Sequence, residues 1–364
     1  MIRILAVFFS VTLLAQAAGA QQPLMEGTVE AISAGADFRA EANGEIGNVV
    51  HWARREERLG ARYLRLHFSG IEDASSRDYA IVVRDRDGRI VERLSKADFG
   101  AKSSMWTKLV YGELARVEVV GPEPPVGLKF RLDKLVVQRN MGAPFAIVLP
   151  DEREPVAAFR ALPVLYSRAR AVAKLTFVAG GVAKSCTGFL VSDDRFVTNE
   201  HCVSDSEVCD SAVATFGYEV DESGALRPGD QYQCSQFVGA SHELDVALIT
   251  LAGFPGHLWG KLPLADNRAE AGSQLYIVQH PGGEPKQVSR KDCFVSTPSA
   301  DGNARNTDFG HKCDTLGGSS GSPVMNNKFE VVGLHHFGFG PSGQWTNENR
   351  AVHIKAISQW LAER

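Results

Sequence analysis

Three things are missing from this 364-residue chain: a cysteine before residue 186, a block of like charge, and an apolar run of membrane-spanning length beyond the first twenty residues. The last absence argues against later membrane helices. Thirty-nine Lys and Arg face forty-three Asp and Glu, a formal net charge of -4. A chain so balanced, with no cluster of basic residues, lacks the electrostatic footprint that nucleic acid requires. No Cys-x-x-Cys or His-x-x-x-His spacing occurs, so no metal site is expected, and no other cofactor is indicated. Internal repeats and low-complexity tracts are absent too. With 44% hydrophobic and 23% charged residues, what remains is an ordinary globular composition at two-domain length.

The first twenty residues, MIRILAVFFSVTLLAQAAGA, set Arg3 before an apolar run and end on Ala18-Gly19-Ala20. That is the pattern of a signal peptide cleaved after Ala20, which predicts a secreted or periplasmic protein with no stable membrane insertion after its removal. Export changes the reading of the six cysteines, Cys186, Cys202, Cys209, Cys234, Cys293 and Cys313. In an oxidising compartment an even number predicts disulfides, although the sequence leaves their pairing open.

Residues 21–149 carry short alternating runs. Leu64, Leu66 and Phe68 share one face of RYLRLHF, and Leu128, Phe130 and Leu132 one face of LKFRL, as in half-buried strands. Asp87-Gly88, between YAIVVRD and RIVERL, suits a hairpin turn. An N-terminal antiparallel β-sandwich is expected. The charged, proline-bounded stretch at 150–165 reads as a connector, and residues 166–364 as a second all-β domain. Within AVHIKAISQWLAER, Ile357, Trp360 and Leu361 have the spacing of a short terminal amphipathic helix.

Acyl transfer by serine needs a hydroxyl, a base, an acid that orients the base, and donors for the oxyanion. The second domain offers His201 in TNEHC, Asp245 in ELDVALI and Ser320 in GGSSGSP, in that chain order. An α/β-hydrolase would need Gly-x-Ser-x-Gly followed by the acid and then the histidine; Ser322 replaces the last glycine here. Gly317-Gly318 supplies an unhindered peptide, so the amides of Gly318 and Ser320 are the expected oxyanion donors.

The blocks CTGFLVS…VTNEHC, DVALI and GGSSGSP resemble those of trypsin-like (chymotrypsin-fold) serine proteases, from about Ala171 to the end. The serine motif is most similar to that of the bacterial glutamyl-endopeptidase-like branch. The resemblance implies two packed six-stranded barrels with the site between them, and a Cys186–Cys202 bridge stapling the histidine loop. It also implies an endopeptidase acting on polypeptides through an acyl-enzyme. Digestive relatives place aspartate just before the nucleophile, to pair with a newly cut N-terminus. Ser319 stands there, so activation by that ion pair is not expected.

On side-chain preference the resemblance points two ways. Asp314, six residues before Ser320, has the offset of a carboxylate that receives Arg or Lys. His335 in GLHHFG and Thr315 match the positions that receive an acidic side chain. A buried carboxylate repels an acidic substrate and an imidazolium a basic one, so one must yield unless they neutralise each other. Phe337 and Gly338 match the edge that pairs with substrate backbone. The duller readings are that Asp314 bonds loop amides and that His335 is packing, with His336 beyond it. His280, His242 and His353 read as structural. The N-terminal domain is open to three roles: substrate recruitment, surface binding or a propeptide. Two other activities stay in view, a non-catalytic binding protein on this scaffold and an esterase.

Overall fold

The computed structural model describes residues 23–39, 49–139, 145–146, 150–338 and 348–364. The expected leader, residues 1–20, lies outside them. Among the described residues no helix is long and apolar enough to cross a membrane.

The alternating runs of the first part become two antiparallel sheets. One holds Val49–Glu57, Leu114–Gly121, Ala80–Arg84 and Ile90–Ser95 in that spatial order; in the other Leu24–Asp37, Leu128–Gln138, Tyr63–Asp73 and Ser104–Trp106 are neighbours. Leu64, Leu66, Phe68, Phe130 and Leu132 from one sheet meet Ile81, Val83, Val117 and Val119 from the other. Edge-to-face rings fill the centre, with Phe68 5.0 Å from Phe99 and 5.4 Å from Phe130. At the Asp87-Gly88 turn, Gly88 takes φ 79°, which costs a glycine nothing.

The second of these sheets is half-buried as expected over Leu128–Leu132, where Lys129 and Arg131 stay accessible, but not throughout. Leu64, Leu66 and Phe68 face the sandwich core, yet Tyr63 and Arg65 on the opposite face are 2% and 1% exposed. The cause is a neighbour that alternation in one strand cannot reveal. The strand Leu24–Asp37 pairs on its other edge with Val182–Leu190, so the sheet continues into the first barrel. Arg65 reaches the Ser211 carbonyl, the Gln231 side chain makes two bonds with the Leu109 backbone, and Gln233 donates to the Trp106 carbonyl.

That barrel closes in the order Val172–Ala179, Val213–Phe216, Asp230–Ser241, Val246–Leu251, Arg195–Thr198, Val182–Leu190 and back to Val172–Ala179. Eight further strands form the second unit in one path from Glu154–Pro155 to Val295–Ala300. A bridge between Gln274, just before Tyr276–Gln279, and Phe294, just before Val295–Ala300, joins the third strand of that path to its last. The last helix is Ile354–Ala362, with Ile357 fully buried and Trp360 and Leu361 against the core. The protein is all-β with a trypsin-like fold and a short C-terminal helix. Its bridges are Cys186–Cys202, Cys209–Cys234 and Cys293–Cys313, and three disulfides fit an extracellular or periplasmic protein.

The stretch expected as a connector is built into the second domain. Glu154–Pro155 pairs with 287–288, and Val156 and Phe159 lie in the same core as both barrels. Asp151 and Arg160 stay exposed while Val156, Phe159 and Leu165 turn in, although Leu162 and Val164 do not, a mixture that composition averages away. Beneath it the fully buried Lys286 donates to the Ala169 carbonyl at 2.8 Å, and burial pushes its ammonium down to about 8. The unfolded chain therefore binds one more proton between pH 8 and about 10.4, so this group makes stability rise with pH across that window. Chemical denaturation of wild type and Lys286→Met from pH 7 to 10 is expected to show the difference shifting toward wild type above pH 8; parallel curves would remove Lys286 as the cause.

Candidate active site

The histidine and the aspartate come from neighbouring strands of the first barrel. Arg195–Thr198 pairs with Val246–Leu251, and each strand carries its candidate residue just beyond one end. Asp245 sits at φ 40°, a left-handed conformation that aspartate tolerates better than most residues. Its carbonyl accepts from Asn199 Nδ2 at 2.8 Å. Its carboxylate meets His201 twice, Oδ1 taking the backbone N–H at 3.1 Å and Oδ2 facing Nδ1 at 2.8 Å. This pairing puts the ring proton on Nδ1 and leaves the Nε2 lone pair free. The Cys186–Cys202 bridge fastens the loop beside His201. Those two sulfurs and the ring lie within 4.8 Å of one another, but both sulfurs are committed to the disulfide and offer no thiolate.

Burial alone would raise the Asp245 carboxyl; the charge and hydrogen bond of His201, followed by those of His336, outweigh it and hold the group well below the usual carboxylate range.

Ser320 lies in a loop tied on three sides. Its carbonyl accepts from Thr187 N–H at 2.8 Å, and the next amide, Gly321, donates to the His335 carbonyl at 2.8 Å. Thr187 Oγ1 also donates to the Gly318 carbonyl. Gly318 and Gly321 take φ 93° and 85°, and a Cβ at Gly321 would stand 2.5 Å from Thr198 Oγ1, three residues before His201. Ser319 turns inward, its Oγ accepting from Leu316 N–H and its own amide donating to the Leu316 carbonyl. The loop thus closes on itself without a carboxylate before Ser320. The amides of Gly318 and Ser320 enter no hydrogen bond among the described residues.

One expected contact is not formed. Ser320 Oγ and His201 Nε2 are both buried and neither has a partner among the described residues. Catalytic hydrogen bonds are often long in unliganded sites and tighten when substrate binds.

The specificity candidates part company. Asp314 Oδ2 accepts from Glu152 N–H at 2.9 Å, so the chain at 150–165 engages this carboxylate. Phe145–Ala146 pairs with the adjoining Thr315–Leu316. His335 Nδ1 faces His311 Nε2 at 3.2 Å, so neutralisation of Asp314 by His335 is not what this geometry provides. Burial pushes the His335 ring well below its ordinary value, helped by the neighbouring His311 and His336, and pushes His311 down to about 3. Thr315 Oγ1 and His335 Nε2 are buried without partners among the described residues. Phe337 closes the strand Val331–Phe337, stacked 3.7 Å from the His336 ring, and Gly338 follows it.

Sequence reasoning passed over the residue that shares Asp245. His336 Nδ1 is 3.1 Å from Asp245 Oδ2, and its Nε2 is 2.6 Å from Asp308 Oδ2. Two consecutive histidines on a buried strand were the available signal; Asp308, in TDFGH, carried none. His280 is buried with Nδ1 on the Glu284 carbonyl, His242 is exposed near Glu200, and His353 precedes the terminal helix.

Residues 186–334 match the family model of the trypsin-like peptidase domain. Curated relatives include an uncharacterized protein, y4fB, of Sinorhizobium fredii, 29% identical over 167 residues, and Secreted RxLR effector protein 73 of Plasmopara viticola, 31% identical over 170. These matches cover 42% and 43% of this chain but 25% and 42% of those proteins, so the chain spans less than half of either relative. Solved structures similar to it include a Glu endopeptidase (22% identity, 60% of this chain and 98% of that one, TM-score 0.45) and the Rv3671c protease of M. tuberculosis in its active form (20%, 60% and 93%, 0.43).

Proposed function

We propose that the chain is a secreted serine endopeptidase that cleaves polypeptides through an acyl-enzyme. The observation that carries this reading is the pair of hydrogen bonds between Asp245 and His201, beside a loop that presents Ser320 next to two amides unengaged among the described residues. Ser320 Oγ attacks the scissile carbonyl while His201 Nε2 takes its proton, then returns it to the leaving amine. Asp245 keeps the proton on Nδ1 and stabilises the imidazolium. The amides of Gly318 and Ser320 receive the oxyanion.

For the residue before the scissile bond we propose an acidic preference. Asp314 is engaged by the Glu152 amide, whereas Thr315 Oγ1 and His335 Nε2 are buried polar atoms awaiting partners. A neutral His335 that accepts from His311 at Nδ1 carries its proton on Nε2 and can donate it to a carboxylate. That replaces attraction by an imidazolium with a hydrogen bond in a dry pocket, where an unpaired donor is costly to leave.

The test is hydrolysis of peptides differing only at that residue (Glu, Asp, Arg, Lys, Phe, Ala), together with labelling of Ser320 by an organophosphonate. Cleavage after Glu with labelling is the expected result. Cleavage after Arg or Lys would transfer specificity to Asp314, ester turnover without amide cleavage would make the protein an esterase, and no labelling would leave a binding scaffold.

A further inference from the structure

His336 is more than packing behind the site. Both of its ring nitrogens face carboxylate oxygens at hydrogen-bond distance, Nδ1 to Asp245 and Nε2 to Asp308. A neutral imidazole has one N–H, so one of these contacts would set lone pair against lone pair; only the doubly protonated ring donates to both. The ring and both carboxylates are essentially sealed from water, where unpaired charge is expensive and a bonded ion pair persists. Asp308 is fixed in turn by Thr307, whose Oγ1 donates to its Oδ1 at 2.9 Å.

We propose that His336, held as an imidazolium between Asp245 and Asp308, is a positioning residue for catalysis. It fixes the Asp245 carboxylate and tempers the negative charge that this carboxylate presents to His201, and so helps set the acid limb of activity. The inference rests on the endopeptidase reading above.

The electrostatics agree. Burial would lower the His336 ring, but the Asp308 charge and the hydrogen bonds to both carboxylates raise it to about 9. Other charged or titratable groups face this cluster. His335 is next on its strand, His311 lies on Asp308–His311, His201 is across Asp245, and Arg350 sits on Asn349–His353 and is paired with Glu348 at 2.8 Å. His353 feels Asp308 from the far side. His335 and His311 are pushed toward neutrality by burial, which leaves His336 as the cation of the set that bonds Asp245 from behind.

The sign follows. With the positive charge gone, Asp245 draws more strongly on a protonated His201, so inactivation by acid begins at higher pH. Asp308→Asn removes the carboxylate that keeps His336 charged, and His336→Gln keeps an amide donor toward Asp245 without charge. Both are expected to move the acid limb of kcat/KM upward by about one pH unit, with KM little changed and kcat on the alkaline side kept within a few-fold. His336→Ala loses the donor as well, and kcat should then fall about tenfold at every pH, a fall that Gln reverses.

A purely structural His336 would instead lower the melting temperature and activity at all pH values and leave the limb in place; that result overturns the proposal. Nitrogen-15 spectra of the histidine rings provide a readout that needs no turnover. His336 should carry protons on both nitrogens at pH 7 in wild type, and the His201 titration should move upward in Asp308→Asn. A neutral His336 ring at pH 7, or an unmoved His201 titration, also overturns it. Absence of any peptide cleavage by wild type would count against the endopeptidase reading, while the ring spectra still decide the charge of His336 and its action on His201.

Discussion

Replacing Ser320 by alanine is expected to lower kcat for a cleaved peptide by about six orders of magnitude, and alanine at His201 by a similar amount, because these residues act as one unit. Asparagine at Asp245 should cost about four orders of magnitude. The mechanism of that loss is specific to the geometry. Asp245 Oδ2 faces His201 Nδ1 at 2.8 Å and Oδ1 takes the His201 amide. An amide NH2 at the Oδ2 position would favour the tautomer with its lone pair on Nδ1, and the proton would then sit on Nε2, where the base must be free. The same NH2 also meets the His336 N–H, so the variant loses some stability, but it keeps its affinity and loses the chemistry. Combining Ser320→Ala with His201→Ala should cost no more than either alone. Single-turnover hydrolysis with active-site titration checks this; additive losses, or a Ser320→Ala variant that retains a hundredth of wild-type activity, would mean that the nucleophile lies elsewhere.

Three local motifs made the candidate site legible in the sequence because each proposed residue is flanked by the glycine, cysteine or strand pattern that holds it. Other features could not be read, for physical reasons. The expectation of half-buried strands held for Leu64, Leu66 and Phe68 and missed Tyr63 and Arg65, since burial of the second face depends on the barrel seated there. The proline-bounded charged stretch looked like a tether, but two apolar residues in it, Val156 and Phe159, anchor it in the core. Asp308 and His336 are far apart in sequence and meet only because Asp308–His311 and Val331–Phe337 both flank Asn349–His353. A charge buried by tertiary pairing leaves no period or spacing behind it. The Cys186–Cys202 bridge implied by resemblance is present, and the other two pairings needed coordinates.

Methionine at Lys174 is expected to destabilise the whole protein by about 3–5 kcal/mol, because it strands a buried carboxylate. The register slips between Met25 and Gly27, and the extra residue, Glu26, meets Lys174 Nζ at 2.6 Å and accepts from Tyr63 Oη at 3.0 Å. Both charged side chains are nearly inaccessible, 6% and 3% exposed. Glu26 belongs to the strand that pairs with both the sandwich and Val182–Leu190, and Lys174 belongs to the barrel. The pair therefore sits on the seam, and the strand it braces carries Thr187, which bonds Ser320 and Gly318. A melting temperature about 6–20 °C lower is expected for the single variant, with most of the loss recovered in Lys174→Met/Glu26→Gln, where no charge is left unpaired. One cooperative transition by calorimetry, lowered as a unit, would show the sandwich and barrels melting together. If only the sandwich melts earlier while Ser320 still reacts at its wild-type rate, the seam carries little stability, and the N-terminal part is a separable module of the kind a propeptide would be.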